Sequence, residues 1–176
     1  MLRIVAEVGA DAVTHRRVAE VAGLPLASTT YYFDSKEHLL TAALELAAER
    51  DVARLHEFAV GRGDGSDPIE LAVAAVLDPI DERTPTRRGS LIATYALLLE
   101  AARRPALQAV ARRWGDAYLE AVGRLLQAAG STKPAADAEL LMAAADGLLI
   151  EQLATGDRGE LSSRLCRLAT ALVKQT

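Results

Sequence analysis

The sequence has one cysteine, few aromatic residues and no apolar stretch long enough to cross a membrane. Cys166 is the only cysteine in 176 residues, so no intrachain disulfide can form and nothing indicates an oxidising compartment. Arg3 and Glu7 interrupt the apolar run at the N-terminus, unlike in a secretory signal. No uncharged apolar run reaches the roughly 18–20 residues that a bilayer-spanning helix needs. We therefore expect a cytoplasmic protein with no membrane partner.

Patterns typical of metal sites and enzymes are also missing. His15, His38 and His56 lack metal-ligand spacing, both with one another and with Cys166. No histidine or basic cluster lies close to Cys166 in the sequence to activate its thiol. We therefore expect no bound metal, no cofactor and no enzymatic activity.

The composition favours helices. Hydrophobic residues make up 51% of the chain and charged residues 25%, alanine and leucine dominate, and no strand-like alternation persists. Apolar residues recur at three- and four-residue spacing between breaks that contain glycine or proline. The sequence predicts an all-α protein of about nine helices.

Two short helices with a glycine turn between them are predicted near the N-terminus. Thr14 is a good N-cap for a helix over residues 15–22, and Gly23 suits the left-handed position that follows it. Pro25 fits the first turn of the second helix. Ala19 is small enough to let that second helix lie close. Together these features predict a helix-turn-helix, whose second helix can enter the major groove of DNA.

The remaining helices are delimited in the same way. Asp34 and Glu37 have capping-box spacing, which predicts a long helix from about Ser35 to the glycines after residue 60. Further helices are predicted over residues 68–77, 86–103, 105–130, 135–155 and 160–174.

Residues 23–40, GLPLASTTYYFDSKEHLL, concentrate hydroxyl and phenol groups in a chain that is only 4% aromatic. Serine and threonine hydroxyls can donate to phosphates or base edges, and a threonine methyl can contact thymine. Tyrosine hydroxyls and Lys36 at a helix N-terminus can bind phosphate oxygens. Phe33 is better explained as a core residue. The composition of this segment indicates DNA binding.

The segment VTHRRVAEVAGLPLASTTYYFDSKEHLL resembles the DNA-binding motif of the TetR family of bacterial transcriptional regulators. The family pattern is T-x-x-x-[IV]-A-x-x-A-G-[VL]…Y-x-[FY]-x-[SN]-K-[ED]-x-[LI], and the resemblance covers about the first 50 residues. It implies that Thr14, with Arg16 or Arg17, contacts phosphates and that Ser28 and Thr30 face bases.

Three aromatic and basic positions extend this implied DNA surface. Tyr31 matches the tyrosine of the family pattern, and Tyr32 stands where many members place a phosphate-binding histidine. Lys36 matches the usual phosphate-binding lysine. The resemblance therefore implies a double-stranded DNA operator as partner.

The chain also departs from the family pattern. Thr29 stands at a position that is usually apolar and buried, which predicts a role in the core. Thr30 replaces a common tyrosine, and Pro25 and Leu26 replace polar residues, so the base preference of other members does not carry over. Met1 falls inside the expected first helix, and we therefore expect the native chain to start upstream.

Two functional regions follow from this resemblance. We predict a DNA-binding module at residues 1–38, with a shortened first helix, and a helical ligand-binding and dimerisation domain at residues 39–176. Residues 1–38 contain four Lys or Arg against five Asp or Glu, a net charge of −1 in a chain of net charge −4. Since cations supply most of the sequence-independent affinity for DNA, we expect modest binding strength.

The resemblance further implies a small-molecule pocket and a two-fold dimer interface among the C-terminal helices. The pocket candidates are Phe58, Tyr95, Trp114, Tyr118, Met142 and Asp146. Asp146 either faces the pocket or is hydrogen-bonded at a helix contact. The interface candidates are Gly147, Leu148, Leu161, Leu165, Leu168 and Leu172. Ordinary core packing is the alternative for the aromatic residues and for each leucine.

The sequence thus predicts a homodimeric, ligand-responsive transcriptional regulator of the repressor type. An unidentified small molecule would release the dimer from its operator by changing the distance or angle between its two DNA-binding modules through the helix over residues 35–60. To do so, the small molecule must bind one arrangement of the two modules better than the other. The alternative is a TetR-like ligand-binding or interaction protein that has lost DNA binding.

Overall fold

A computed structural model describes residues 1–61, 66–77, 85–156 and 159–174, and the side chains of residues 56–61 and 85–87 are outside the description. Within these ranges the backbone forms nine α-helices, one short 3₁₀ helix and no strand, which confirms the predicted all-α class. The elements in chain order are α1 (Leu2–Val8), the 3₁₀ helix (Ala10–Ala12), α2 (His15–Ala22), α3 (Leu26–Tyr32), α4 (Lys36–Gly61), α5 (Pro68–Leu77), α6 (Pro85–Ala101), α7 (Pro105–Ala128), α8 (Pro134–Thr155) and α9 (Leu161–Lys174).

The turn between α2 and α3 forms as predicted. The Thr14 hydroxyl oxygen accepts a hydrogen bond from the Arg17 amide at 3.1 Å, which caps the start of α2. Gly23 ends the helix at φ 66° and ψ 29°, a left-handed conformation in which a side chain would be strained. Pro25 lies one residue before α3 rather than in its first turn, with ψ at 143°.

The capping residue of α4 differs from the prediction. The Ser35 hydroxyl oxygen accepts from the His38 amide at 3.1 Å, while the Asp34 amide donates to Nδ1 of His38 at 3.4 Å. Ser35 directly precedes the first helical residue, Lys36, so its short hydroxyl reaches the third amide of the helix. The predicted cap at Asp34 is therefore wrong by one residue.

Four of the later helices begin at a proline, because the fixed φ of proline suits the first turn and its missing N–H would have no partner there. These first residues are Pro68, Pro85, Pro105 and Pro134. Ahead of α5, the Asp67 carboxylate accepts from the Ile69 amide at 2.9 Å. The sequence predicted the proline starts of α5 and α7 correctly. It placed the starts of α6 and α8 one residue too late.

The chain divides into two compact units. The first comprises Met1–Asp51 and Ile80–Trp114, and the second comprises Val52–Pro79 and Gly115–Thr176. In the first unit, fully buried aliphatic side chains from α1, α4, α6 and α7 form the core: Ile4, Val5, Leu39, Leu40, Leu44, Leu97 and Leu107. In the second, α9 packs on α5 and α8 around Val73, Leu126, Leu141 and Leu165.

None of the helices in the described ranges is both long and apolar enough to cross a bilayer. The predicted boundary at residue 38 separates two functions, whereas the two units above are separated by compactness. The functional boundary stays a prediction.

Candidate functional site

Helix α3 is fixed to α2 through its inner face. Thr29 is only 4% exposed, and its hydroxyl donates to the main-chain oxygens of His15, at 3.2 Å, and Leu26, at 2.9 Å. His15 Nε2 lies 2.8 Å from the Phe33 carbonyl oxygen, which can only accept, so that nitrogen carries the hydrogen. The prediction that Thr29 serves the core is confirmed, and two side-chain hydrogen bonds set the position of α3.

The opposite face of α3 is open to solvent. Leu26 and Tyr31 are 47% and 80% exposed, and Ala27 and Thr30 between them are exposed as well. Spacings of one, four and five residues bring these four side chains to one side of a helix. Tyr32 is also exposed, with its ring edge-on to that of Tyr31 at a centroid distance of 5.0 Å. Most of the residues predicted to contact DNA are therefore accessible.

The hydroxyl groups of α3 have different surroundings. Thr30 Oγ1 lies 3.3 Å from the Leu26 oxygen and 3.2 Å from the Ala27 oxygen, both of which accept from it. Ser28 is half-buried. The single O–H donor of Thr30 is thus engaged by the helix itself, and its acceptor lone pairs and its methyl group remain available.

Three of the predicted phosphate contacts lie together beside α2. Thr14, Arg16 and Arg17 line an open cavity of about 420 Å³, and all three are exposed. Arg17 Nη1 is 3.8 Å from a carboxylate oxygen of Glu20, which lines the same cavity. The cluster combines two guanidinium groups with one carboxylate.

Lys36 is held by the 3₁₀ helix before α2. Its Nζ donates to the main-chain oxygen of Asp11 at 2.9 Å and to the Asp11 carboxylate at 3.3 Å. The Asp11 side chain is 99% exposed and that of Lys36 is 35% exposed. A group predicted to bind phosphate therefore already has an anionic neighbour, which the sequence did not indicate because 25 residues separate the two.

The pocket candidates belong to both units. Tyr95 and Trp114 lie in the first unit, where Trp114 packs against the core. Tyr118 is 8% exposed in the second unit, Met142 is half-buried there, and Asp146 is exposed. The Phe58 side chain lies outside the described residues. The assignment of a shared pocket stays a prediction.

The interface candidates do not all lie at the surface. Leu165 has no exposed area, so it packs inside its own subunit and cannot contact a partner subunit. The prediction that Leu165 lies at the interface is wrong. Leu148, Leu161, Leu168 and Leu172 are half-buried, and Gly147 is exposed.

An apolar stripe on α8 was missed by the sequence analysis. Leu140 and Ile150 are 55% and 51% exposed, and with the exposed Ala143 and Gly147 they follow the three- and four-residue spacing of one helix face. That spacing was visible in the sequence, but a helix in which most positions are apolar does not reveal which stripe faces outward.

An open groove of about 880 Å³ lies beside α9 and includes Leu148 of α8. Leu168 and the single cysteine, Cys166, contribute to its lining, together with Arg164 and Arg167. Burial raises the pKa of the Cys166 thiol, which a hydrogen bond with Ser162 partly offsets. Across the described ranges, no three His, Cys, Asp or Glu side chains are grouped as metal ligands would be.

Comparisons of the sequence with protein families match both ends of the chain. Residues 2–43 match the family described as bacterial regulatory proteins, tetR family. Residues 67–174 match the family described as the tetracyclin repressor-like C-terminal domain. A search of curated proteins found no match.

Several solved structures are similar over nearly the full length. A TetR-family member from Streptomyces coelicolor A3 is 31% identical, with 97% of this chain and 92% of that chain covered and a TM-score of 0.75. The multidrug binding protein EbrR complexed with ethidium is 32% identical, with the same coverage and a TM-score of 0.71. A transcriptional regulator from Rhodococcus sp. Rha1 has a TM-score of 0.86 over 98% of this chain and 91% of that chain. At 22% identity, this last likeness shows the fold alone.

The N-terminal helix-turn-helix, the helical C-terminal region and both family matches agree with the resemblance found in the sequence. The chain belongs to the TetR family of bacterial transcriptional regulators.

Proposed function

We propose that this protein is a homodimeric repressor that binds an operator through α3 and leaves it when a small molecule binds. The observation that carries the proposal is the two-sided character of α3: Thr29 is buried at 4% exposure while Tyr31 is 80% exposed. Insertion into a major groove requires a helix with one face held by the rest of the protein and the opposite face exposed to solvent.

The proposed DNA surface divides into phosphate and base contacts. Residues at the start of α2, at the end of α3 and at the start of α4 are assigned to phosphate contacts. Residues in the middle of α3 are assigned to base contacts. The phosphate group is Thr14, Arg16, Arg17, Tyr31, Tyr32 and Lys36, and the base group is Ser28 and Thr30. Phosphate contacts fix register and orientation, and base contacts supply sequence preference.

Mobility shifts with the DNA that flanks the protein's own gene test this assignment. We expect Lys36→Ala to weaken binding to all sequences alike and to reduce the salt dependence, because a phosphate contact is lost. Thr30→Ala should instead change the preference among sequences. Equal effects of both substitutions at every site would contradict the division.

The proposed dimer forms through the apolar stripe of α8 together with the groove beside α9. A Cβ atom placed on Gly147 meets no atom within 4 Å in the subunit, although a glycine in mid-helix costs about 1 kcal/mol relative to alanine. Close approach of a second copy would account for the glycine. Sedimentation or light scattering over a concentration range measures the association directly.

For the effector we propose a planar aromatic compound, since the similar protein EbrR is complexed with ethidium and with proflavin. The chain has one tryptophan, Trp114, so ethidium binding near it should quench its fluorescence. Tyr95→Ala should weaken binding, whereas Tyr31→Ala, on the DNA surface, should not. Unchanged Trp114 emission at saturating ethidium would contradict this choice of effector.

A second candidate function is a TetR-like ligand-binding or interaction protein that has lost DNA binding. The ion pairs Lys36–Asp11 and Arg17–Glu20 favour it, because both involve groups assigned to phosphates. The mobility shifts separate the two candidates: failure to bind flanking or random DNA even at low salt would favour the second.

A further inference from the structure

The recognition segment has none of the side chains that usually read bases by paired hydrogen bonds. Residues 23–33 contain no Arg, Lys, Asn, Gln, Asp, Glu or His. Arginine and lysine recognise guanine, asparagine and glutamine recognise adenine, and carboxylates accept from cytosine. None of these readouts is available from the exposed face of α3.

The side chains that α3 exposes at its start are apolar. Leu26 is 47% exposed and Leu24, in the preceding turn, is 53% exposed, with Ala27 exposed between Leu26 and Thr30. Single exposed aliphatic side chains are common on protein surfaces, whereas neighbouring ones that form a patch mark a surface that is covered in a complex. On the proposed DNA face, the apolar group they can meet in the major groove is the C5 methyl of thymine.

Thr30 fits the same readout. Its O–H donor is directed to the main-chain oxygens of Leu26 and Ala27, so donation to a base acceptor would cost those bonds. The methyl group of Thr30 takes no part in those hydrogen bonds and can contact a base without breaking them. The other threonine of the helix, Thr29, is directed inward.

We infer that the operator is read chiefly through thymine methyl groups, contacted by Leu26, Ala27 and Thr30. This inference rests on the proposed DNA-binding function and specifies the chemistry of the sequence that α3 recognises. The half-sites should carry thymines at the positions beneath the first turn of α3. Specificity per base pair should be lower than for regulators with bidentate arginine or glutamine contacts.

Thymine-to-deoxyuridine replacement tests the inference, because it removes only the C5 methyl and keeps base pairing. Operators would be selected from a random duplex pool with the full-length protein, and each half-site thymine replaced in turn. We expect about fourfold weaker binding for each contacted methyl, from the free energy of burying one such group. Replacement of cytosine by 5-methylcytosine at a neighbouring position provides the converse measurement, and deoxyuridine outside the footprint provides the control.

A substitution cycle separates methyl contact from an effect on DNA shape. Leu26→Ala should bind the thymine operator more weakly and lose most of its sensitivity to deoxyuridine at one position, because contacting groups are not additive. Full sensitivity retained in Leu26→Ala, Ala27→Gly and Thr30→Ser alike would overturn the inference.

The remaining outcomes are also decisive. Selective binding that is indifferent to deoxyuridine at every half-site position overturns the inference and leaves the proposed regulator intact. Absence of any DNA binding at low salt overturns the proposed function, and the inference with it.

Discussion

Thr29 and Thr30 are adjacent in the chain, yet their hydroxyl groups serve different purposes. Thr29 links α3 to the His15 oxygen of α2, whereas Thr30 bonds only within its own helix. Thr29→Val keeps the side-chain shape and removes the link, so we expect a loss of about 1 kcal/mol in the free energy of unfolding. Thr30→Val, as the matched control, should change it by less than about 0.5 kcal/mol. Urea unfolding curves measure both, and equal losses would contradict the distinction.

Asp11 is expected to restrain DNA binding through its bonds to Lys36. When a phosphate displaces the carboxylate, the freed Asp11 takes up a cation, which cancels part of the counterion release. Asp11→Asn should therefore tighten DNA binding and steepen the dependence of log affinity on log salt by less than the roughly 0.9 units per subunit that one phosphate contact contributes. Mobility shifts or anisotropy titrations at several salt concentrations measure the slope.

Asp34→Asn is the control, since it makes the same charge change at an exposed carboxylate that lies 3.9 Å from His38 rather than at Lys36. It should raise affinity only through net charge. If Asp11→Asn and Asp34→Asn behave alike, the Lys36–Asp11 bond has no specific role.

Residues with one chemically distinct task were the most predictable from the sequence. The cap at Thr14 and the left-handed Gly23 were predicted because only a few residue types satisfy those backbone positions. The inward role of Thr29 followed from the family pattern. The Lys36–Asp11 bond was not predicted, because it depends on how the chain brings the 3₁₀ helix before α2 to the start of α4, 25 residues away.

Among the helices, positions were predictable and outward faces were not. Prolines and glycines marked the ends to within about two residues. The 3₁₀ helix over Ala10–Ala12, which follows Gly9, was missed because three residues are too few to show a helical periodicity. In α8, apolar residues occupy most positions, so periodicity did not reveal that Leu140 and Ile150 face outward. The family resemblance assigned Leu165 of α9 to an interface, whereas the structure buries it. Burial depends on neighbouring helices that are distant in sequence.

The glycine in α8 gives a test of the proposed dimer. Gly147→Ala should increase helix propensity, by about 1 kcal/mol, yet weaken association if a second copy approaches the helix there. Gly115→Ala in α7 is the control, since a Cβ at Gly115 likewise meets no atom within 4 Å. Both variants should unfold at higher denaturant, and only Gly147→Ala should shift the monomer–dimer equilibrium. Identical sedimentation of the two variants would contradict the proposed interface.

At the level of the complete subunit, Cys166 reports on whether the groove beside α9 is covered. Burial raises the pKa of its thiol above the ordinary 9.0, so less thiolate is present at a given pH and alkylation is slower than in the unfolded chain. The raised pKa also means that any contribution of this group to stability is present below pH 9 and is lost as pH rises through the folded pKa. We expect the alkylation rate to keep rising with pH beyond 9.

Alkylation should also slow as protein concentration rises, because the proposed dimer covers the groove that Cys166 lines. Gly147→Ala should react faster than the unchanged protein at equal concentration. Mass spectrometry after timed iodoacetamide treatment measures the rates. A rate independent of concentration in a proven dimer would place the groove outside the interface.

The ion pairs of Lys36 and Arg17 bear on how the proposed regulator would search a chromosome. Affinity for random DNA comes from free cations, and a genome offers about 10⁶–10⁹ competing positions. Two cations of each subunit are paired with carboxylates of the same subunit, and the DNA-binding module has a net charge of −1. Each dimer would therefore leave random DNA quickly instead of sliding along it. A small pool of copies could then keep one promoter occupied, because few of those copies would be held on random DNA at any time.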